Sequence, residues 1–282
     1  MGRPKAKKEE DVSELSRRAG VTLTVGIGIL AVIFLLPILV VLQNSFKSKL
    51  YISNDPFALP IGDLFAGLEN YAGGIEKTGF LSAFGYSLFI TVFSVALIIL
   101  CTSMVKNRFT TALYYLFVFA MIVPFQMVMF TMTKIANMLY LDNPVGIIFL
   151  YLGFGCGLSV FMFCGFIKSI PLEIEEAAMI DGCAPLQTFF RIVLPILKPT
   201  VITIAILNAM WIWNDYLLPY LVIGSDYKTI PIAVQYLRGG YGSVDMGAMM
   251  AMLVLAILPI IIFYLLSQKH IIKGVAAGAV KG

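Results

Sequence analysis

Apolar residues cluster in six long runs, at 21–42, 84–105, 112–133, 145–167, 200–223 and 247–268, separated by shorter polar stretches. Each run has about the 20 residues that an α-helix needs to cross a hydrocarbon core of roughly 30 Å, since every helical residue advances about 1.5 Å. Five of the six carry no charge, and the fifth in order carries only Asp215. Inside hydrocarbon a backbone has to satisfy its own polar groups, which a helix does within a single segment. The pattern therefore predicts an all-α, polytopic membrane protein with six transmembrane helices and both termini on one side.

One polar interruption is itself patterned. Residues 173–199 read EIEEAAMIDGCAPLQTFFRIVLPILKP, between the fourth and fifth runs. Pro171 suits a first helical turn, where its missing N–H costs little, and Glu173, Glu175 and Glu176 crowd the positive end of the helix dipole. Ala177, Ala178 and Ile180 keep that helix slim and partly apolar. Gly182, best able to take a left-handed backbone, should end it. Pro185 is placed to open a second helix, in which Leu186, Phe189, Phe190 and Val193 recur at three- and four-residue spacing and share a face. The prediction is helix, turn, helix. A short helix with apolar side chains outside the bilayer needs a groove in a partner to cover it; the alternative is a loop lying on the membrane surface.

Composition excludes a soluble domain. The 282 residues are 60% hydrophobic and 13% charged, with a mean hydropathy of +0.92, whereas about a quarter of the residues of an ordinary globular domain are charged. Charge also sets orientation. Of the 20 Lys and Arg, 14 lie in 1–20, 106–108, 168–198 and 269–281, and six on the opposite side. The positive-inside rule then places both termini and the 173–199 loop in the cytoplasm. The net charge of +4 is thereby an orientation signal, and no nucleic-acid-binding pattern accompanies it. Residues 1–20 lead straight into an apolar run longer than that of a secretory signal, with no small-residue cleavage site, so they read as a tail before a membrane anchor.

The polar residues within the runs are few. Pro37 and Pro124 predict kinks in the first and third spans. Gln126, beside Pro124, reads as a residue hydrogen-bonded at that kink in preference to one lining a pore. Gln126, Asn208, Trp211, Asn214 and Asp215 are the candidates for a translocation path or substrate contact. Asp215 sits roughly 22 Å from the cytoplasmic end of its span at about 1.5 Å per residue. A structural or gating use of it is expected ahead of direct contact with substrate, although its aromatic surroundings would suit the ring faces of sugars. Gly153, Gly155 and Gly157 predict close helix packing, because no strand precedes them and no third glycine completes a dinucleotide fingerprint. Cys101, Cys156, Cys164 and Cys183 read as packing residues, and His270 as a solvated helix-end residue with no convergent nucleophile or carboxylate. Residues 45–83, rich in turn signals, form either a connector or an outer docking surface. The six residues around Lys106 predict a tight hairpin, and Gly239, Gly240 and Gly242 a pliable outer loop. The chain lacks G-x-x-x-x-G-K-[ST], so any ATP has to be bound by another subunit.

Glu176-Ala177-Ala178, Gly182, Ile192 and Leu194-Pro195 resemble in order and spacing the EAA loop of ABC importer permeases. Trp213-Asn214-Asp215 resembles a signature in the fifth span of sugar-transporting permeases. The ending Lys273-Gly274 with Gly278-Ala279-Val280-Lys281-Gly282 is similar to that of the second permease of maltose, multiple-sugar and raffinose-type systems. The resemblance covers nearly the whole chain and implies an ABC type I importer permease fold in a bacterial inner or plasma membrane. It also implies a permease domain over 21–268 with a coupling loop at 168–199, flanked by cytoplasmic tails at 1–20 and 269–282. Its implied partners are a second, homologous permease in a heterodimer, two ATP-binding subunits that hold the ATP and Mg2+, an extracellular solute-binding protein, and membrane lipids. The subunit itself would be no enzyme and carry no cofactor or metal. ATPase coupling would fall to Glu176, Ala177, Ala178, Met179, Ile180, Asp181 and Gly182, with Glu176 orienting, Ala177 and Ala178 as the slim contact face, Asp181 a polar contact and Gly182 the turn. Lys273, Gly278 and Lys281 would reach the ATPase interface. Two alternatives remain. The same class of importer could carry another small polar solute such as glycerol phosphate, or the chain could act alone as a secondary transporter or channel, for which Asp215 is the single ion-relay candidate in the six spans.

Overall fold

The structure, a computed structural model, describes the backbone of residues 5–103, 109–167, 170–224, 226–237 and 244–279, and the side chains of 19–103, 112–167, 170–224, 226–237 and 244–268. Helix α1 (Lys5–Asn44) continues through Pro37. A short α2 (Lys49–Asn54), a 3-10 turn at Gly62–Leu64 and α3 (Glu69–Thr78) follow. Next come α4 (Phe80–Ser103), α5 (Phe109–Ile122), α6 (Phe125–Met138) and α7 (Gly146–Ile167). The predicted loop contains α8 (Leu172–Ile180), α9 (Pro185–Thr188), a π-helical turn at Phe189–Val193 and α10 (Leu194–Ile196). Finally α11 (Lys198–Asn214), α12 (Leu217–Val222), α13 (Ile230–Gln235) and α14 (Met246–Ala279) complete the order.

Among the described residues, four helical stretches are long and apolar enough to cross a membrane: Ala19–Asn44, Phe80–Ser103, Gly146–Ile167 and Met246–Gln268. Two bent helix pairs among the described residues are apolar enough to cross as well, which gives up to six spans if each pair is one. Ala112–Ile122 and Phe125–Met138 meet at 108°, and Pro185–Ile196 and Lys198–Asn214 at 76°. The first break is Pro124, which cannot donate to the preceding turn and drives Val123 out of helical backbone. The third predicted span is therefore two half-helices and no straight rod. The fifth is also interrupted, since Asp215 is extended (φ −72°, ψ 124°) between α11 and α12. Helical backbone extends into both terminal segments, with α1 beginning at Lys5 and α14 running on to Ala279.

The chain divides into two compact units, Met1–Gly74 with Asp245–Val254, and Ile75–Val244 with Leu255–Gly282. In the first, α1 exposes its apolar side chains from Val21 to Leu42, whereas the segment after it is tied down by polar bonds. Asn70 Nδ2 donates to the carbonyls of Ser45 and Lys47 at 2.9 and 2.7 Å, and the buried Lys47 Nζ donates to the Asp55 carbonyl at 2.7 Å. Residues 45–74 are thus a folded cap, more than a loose connector.

In the second unit α4 and α7 share the most extensive packing. The buried face of α4 is a stripe of small and branched residues, Ala83, Ser87, Ile90, Ser94 and Ile98, three or four apart, so the two backbones approach closely. A Cβ at Gly155 would run into Ile98 and lie 2.9 Å from Asn208 Oδ1, and one at Gly157 would lie 2.9 Å from the Phe117 carbonyl. Close packing thus explains these two glycines, while Gly153 faces open space. A second cluster of Phe163, Val193, Leu197 and Ile204 anchors the elbow between α10 and α11. Lys106 and its predicted hairpin, Gly239, Gly240 and Gly242 lie outside the described residues, as does Lys281.

Candidate functional site

Two places concentrate the predicted functional residues. The first is α8 and its turn. α8 opens after Pro171 with Glu173 and Glu175 in its first turn, where negative charge meets the orphan amides of the helix start. It stops at Gly182, whose φ of +85° is left-handed. Gly182 N–H donates to the Met179 carbonyl and Cys183 N–H to the Ala178 carbonyl, both at 3.0 Å. These are the paired bonds of a Schellman ending, which satisfy the last carbonyls by backbone alone. Two residues on, Pro185 starts α9, and Gln187 Oε1 accepts the Ala184 N–H at 3.1 Å.

α8 is exposed on nearly every side, apolar and charged positions alike. Only Ala178 is buried, at 5% exposed, while Leu172, Ile174, Met179 and Ile180 are open and Ile180 reaches 86%. Glu176, Ala177, Asp181 and Gly182 are also exposed. Ala178 was expected on the outward contact face beside Ala177; it turns inward and seats α8 on its own chain. The face predicted for the second helix also divides. Val193 is buried and Phe189 half-buried, but Leu186 and Phe190 are exposed. The π turn, with its extra residue per turn, rotates the register so that Phe189, Val193 and Leu197 form the inner row. Between this arm, α8 and the ends of α4 and α7 lies a cleft of about 260 Å3, lined by Ser103, Ile167, Met179, Phe189 and Val193 among others.

The second place is the break at Asp215. Its Oδ2 accepts the Tyr151 hydroxyl at 3.0 Å, and its Oδ1 accepts the Leu217 and Leu218 amides at 3.0 and 3.4 Å. Asp215 is thus a carboxylate that caps the start of α12. Tyr151 has no exposed surface and stands edge-on to Trp211, with ring centroids 5.5 Å apart. Trp213 turns the other way, donating from Nε1 to the Ala256 carbonyl of α14 at 3.1 Å. Trp211 and Asn214 are exposed.

Asn208 is a different case from the path-lining role expected of it. It is buried, and its Nδ2 donates to Ser159 Oγ at 3.1 Å and to the Ile204 carbonyl at 3.0 Å. It ties α11 to α7. Gln126, expected to be hydrogen-bonded at the Pro124 break, is exposed at the start of α6. Tyr151 was missed by sequence reasoning, although a lone phenol in the middle of the fourth apolar run, with a carboxylate in the fifth, was a signal that could have found it. At the other end, Lys273 and Gly278 fall within the helical backbone of α14.

The family model for the binding-protein-dependent transport system inner membrane component matches residues 94–277. Over 261 residues the chain is 39% identical to the probable starch degradation products transport system permease protein AmyC of Thermoanaerobacterium thermosulfurigenes, a match spanning 90% of this chain and 94% of that one. It is 36% identical to the multiple sugar-binding transport system permease protein MsmG of Streptococcus mutans, across 98% and 100% of the two chains. With the melibiose/raffinose/stachyose import permease protein MelC of Bacillus subtilis it shares 31% identity across 90% and 94%. A chain in the crystal structure of a bacterial ABC transporter involved in the import of the acidic polysaccharide alginate shares the fold, with a TM-score of 0.75 and 24% identity, covering 90% of this chain and 97% of that one.

Proposed function

We propose a function from one premise: the chain belongs to the family of binding-protein-dependent transport system inner membrane components. It is a multi-pass ABC transporter permease, and we infer that its cargo is a sugar or oligosaccharide, as the names of its relatives AmyC, MsmG and MelC support. It works with a second permease, two ATP-binding subunits that hold the ATP and Mg2+, and an extracellular solute-binding protein. The charge bias of the loops supports placing both termini and α8 in the cytoplasm.

The observation that carries the mechanism is the exposure of the apolar side chains of α8. A helix that buries only Ala178 and leaves Ile180 at 86% exposure offers its apolar side chains to the groove of another protein. That groove belongs to an ATP-binding subunit. Ala177, Met179 and Ile180 enter it, Glu176 and Asp181 orient the helix at its polar rim, and Ala178 seats the helix on its own chain. Gly182 fixes the direction in which the chain leaves, and Lys273, Gly278 and Lys281 extend toward the same interface. Closure of the two ATPases pulls α8, and the motion passes through the arm of α9, the π turn and α10 to the 76° elbow at Leu197. From there it reaches α11, the span that carries Trp211 and Asn214. A rigid lever on a hinged span is what switching between inward- and outward-facing states requires.

Gly182→Asp tests this reading. The complete importer, reconstituted in vesicles with its binding protein, should keep the variant subunit and hydrolyse ATP while sugar uptake is lost. Full uptake by the variant would exclude α8 as the coupling element.

A further inference from the structure

Threonines inside these helices share a habit from which Thr91 departs. Thr24, Thr102, Thr133 and Thr203 each donate the hydroxyl to the carbonyl four residues back, at 2.8, 2.6, 2.8 and 3.0 Å. That bond lets a hydroxyl rest in an apolar helix without help from outside. Thr91 is 7% exposed, and its hydroxyl has no hydrogen-bond partner among the described residues. It follows Phe80, the first residue of α4, by 11 positions, which puts it roughly 16 Å along the helix at about 1.5 Å per residue, near the middle of a span. A hydrocarbon core supplies no water to pair it, so the bare hydroxyl costs free energy there.

Thr91 lines a groove of about 320 Å3 between α4, α11 and α14, a volume within the range of small-molecule sites, roughly 300–1,000 Å3. Ala205 and Ala209, four apart on α11, leave the space open, and Trp213 and Phe263 border it with rings. Trp213 presents only its apolar surface, because its N–H is already engaged by the Ala256 carbonyl at 3.1 Å. Pro259, also in the lining, has no amide to donate. Leu88, Val92 and Met210 line the groove and are exposed, so it opens on the outside of these spans. None of the residues singled out for coupling or for a translocation path lines it.

The groove and the hydroxyl together select an occupant. A plain acyl chain would cover the apolar walls and leave Thr91 unpaired. A water would pair Thr91 but lack the two to four polar partners that a buried water needs. A compact apolar molecule with one hydroxyl meets both conditions, since Thr91 Oγ1 can donate to it or accept from it. We propose that this groove is a binding site for apolar phenols and alcohols, with the ligand hydroxyl paired to Thr91 and its hydrocarbon body between Trp213 of α11 and Phe263 of α14.

The test places the complete importer in vesicles with two probes, para-bromophenol and para-bromotoluene, which share a ring and a bromine and differ by a hydroxyl in place of a methyl. Bromine in contact with an indole quenches its fluorescence, and the part of the signal missing from Trp213→Phe belongs to Trp213. Compared at equal mole fractions in the bilayer, bromophenol should quench that part saturably, with its half-effect at an about fivefold lower mole fraction than bromotoluene, the scale of one hydrogen bond. Unbrominated para-methylphenol should reverse it. Thr91→Val, which keeps the shape and removes the hydroxyl, should bring the two probes level, and Thr91→Ser should keep the preference. Equal quenching by both probes in the wild type overturns the site, as does quenching that para-methylphenol does not reverse, or a preference that survives Thr91→Val. A Trp213 signal that neither probe quenches overturns it too, and would mean that the second permease fills the groove.

Discussion

The chain stops a helix at Gly182 and again at Asp215, and it does so by different means. At Gly182 the ending is built of backbone, with two 3.0 Å bonds closing the last turn and no side chain involved. At Asp215 it is built of side chains, one carboxylate serving Tyr151 and two amides of α12. The difference follows from the surroundings. A helix end in water can leave amides and carbonyls to solvent, so a glycine that turns the chain is sufficient. A helix end within a membrane has no solvent to call on, and every freed group has to find a partner in the protein. The first stop leaves its helix exposed and available to another subunit, and the second fixes a buried scaffold.

Removing the carboxylate breaks the second stop. Asp215→Ala leaves the Tyr151 hydroxyl and two α12 amides without an acceptor, a cost of about 3 kcal/mol or more at about 1–3 kcal/mol for each unsatisfied group. The purified importer should lose thermal stability in detergent. Asp215→Asn, which keeps an acceptor oxygen, should lose about 1 kcal/mol. Equal melting of Asp215→Ala and wild type would mean that the break is held by something other than this carboxylate. The first stop should be softer. A methyl at Gly182 meets no atom within 4 Å, so the only penalty of Gly182→Ala is left-handed backbone, about 1–2 kcal/mol. Faster hydrogen exchange confined to the amides of Gly182 and Cys183 would show it, and Gly182→Asn, better tolerated at such angles, should exchange more slowly than Gly182→Ala.

The two stops were not equally legible in the sequence. Gly182 was, because the acidic first turn, the small residues and a glycine followed by proline are local signals and the conformation they favour is local. Asp215 was visible as an anomaly, but its role was not, since the partner that defines it, Tyr151, lies 64 residues away. For the same reason Asn208 looked like a path residue. Only the fold shows that Ser159 occupies it. The four long apolar helices were legible from hydropathy alone, whereas the 108° bend at Pro124 exceeds what a kinked but continuous helix implies. The π turn went unread because nothing in Phe189–Val193 marks it, and it moved Leu186 and Phe190 from an expected common face to the outside.

The smallest effect is the sharpest test of the contrast. Ile180 is 86% exposed, so within this chain Ile180→Ser removes almost no packing. Surface substitutions of that kind stay within about 0.5 kcal/mol, and the permease pair purified without its ATPases should melt with wild type. In the complete importer the same change withdraws an isoleucine from the proposed groove. Burying such a side chain is worth about 1.5–3 kcal/mol, so the ATP-binding subunits should bind the variant at least about tenfold more weakly than wild type. Asp215→Ala should show the reverse division, a loss in the permease pair that the ATPases do not add to. If Ile180→Ser destabilises the pair alone, α8 is already covered by its own membrane partner, and the lever has to be sought elsewhere in the loop.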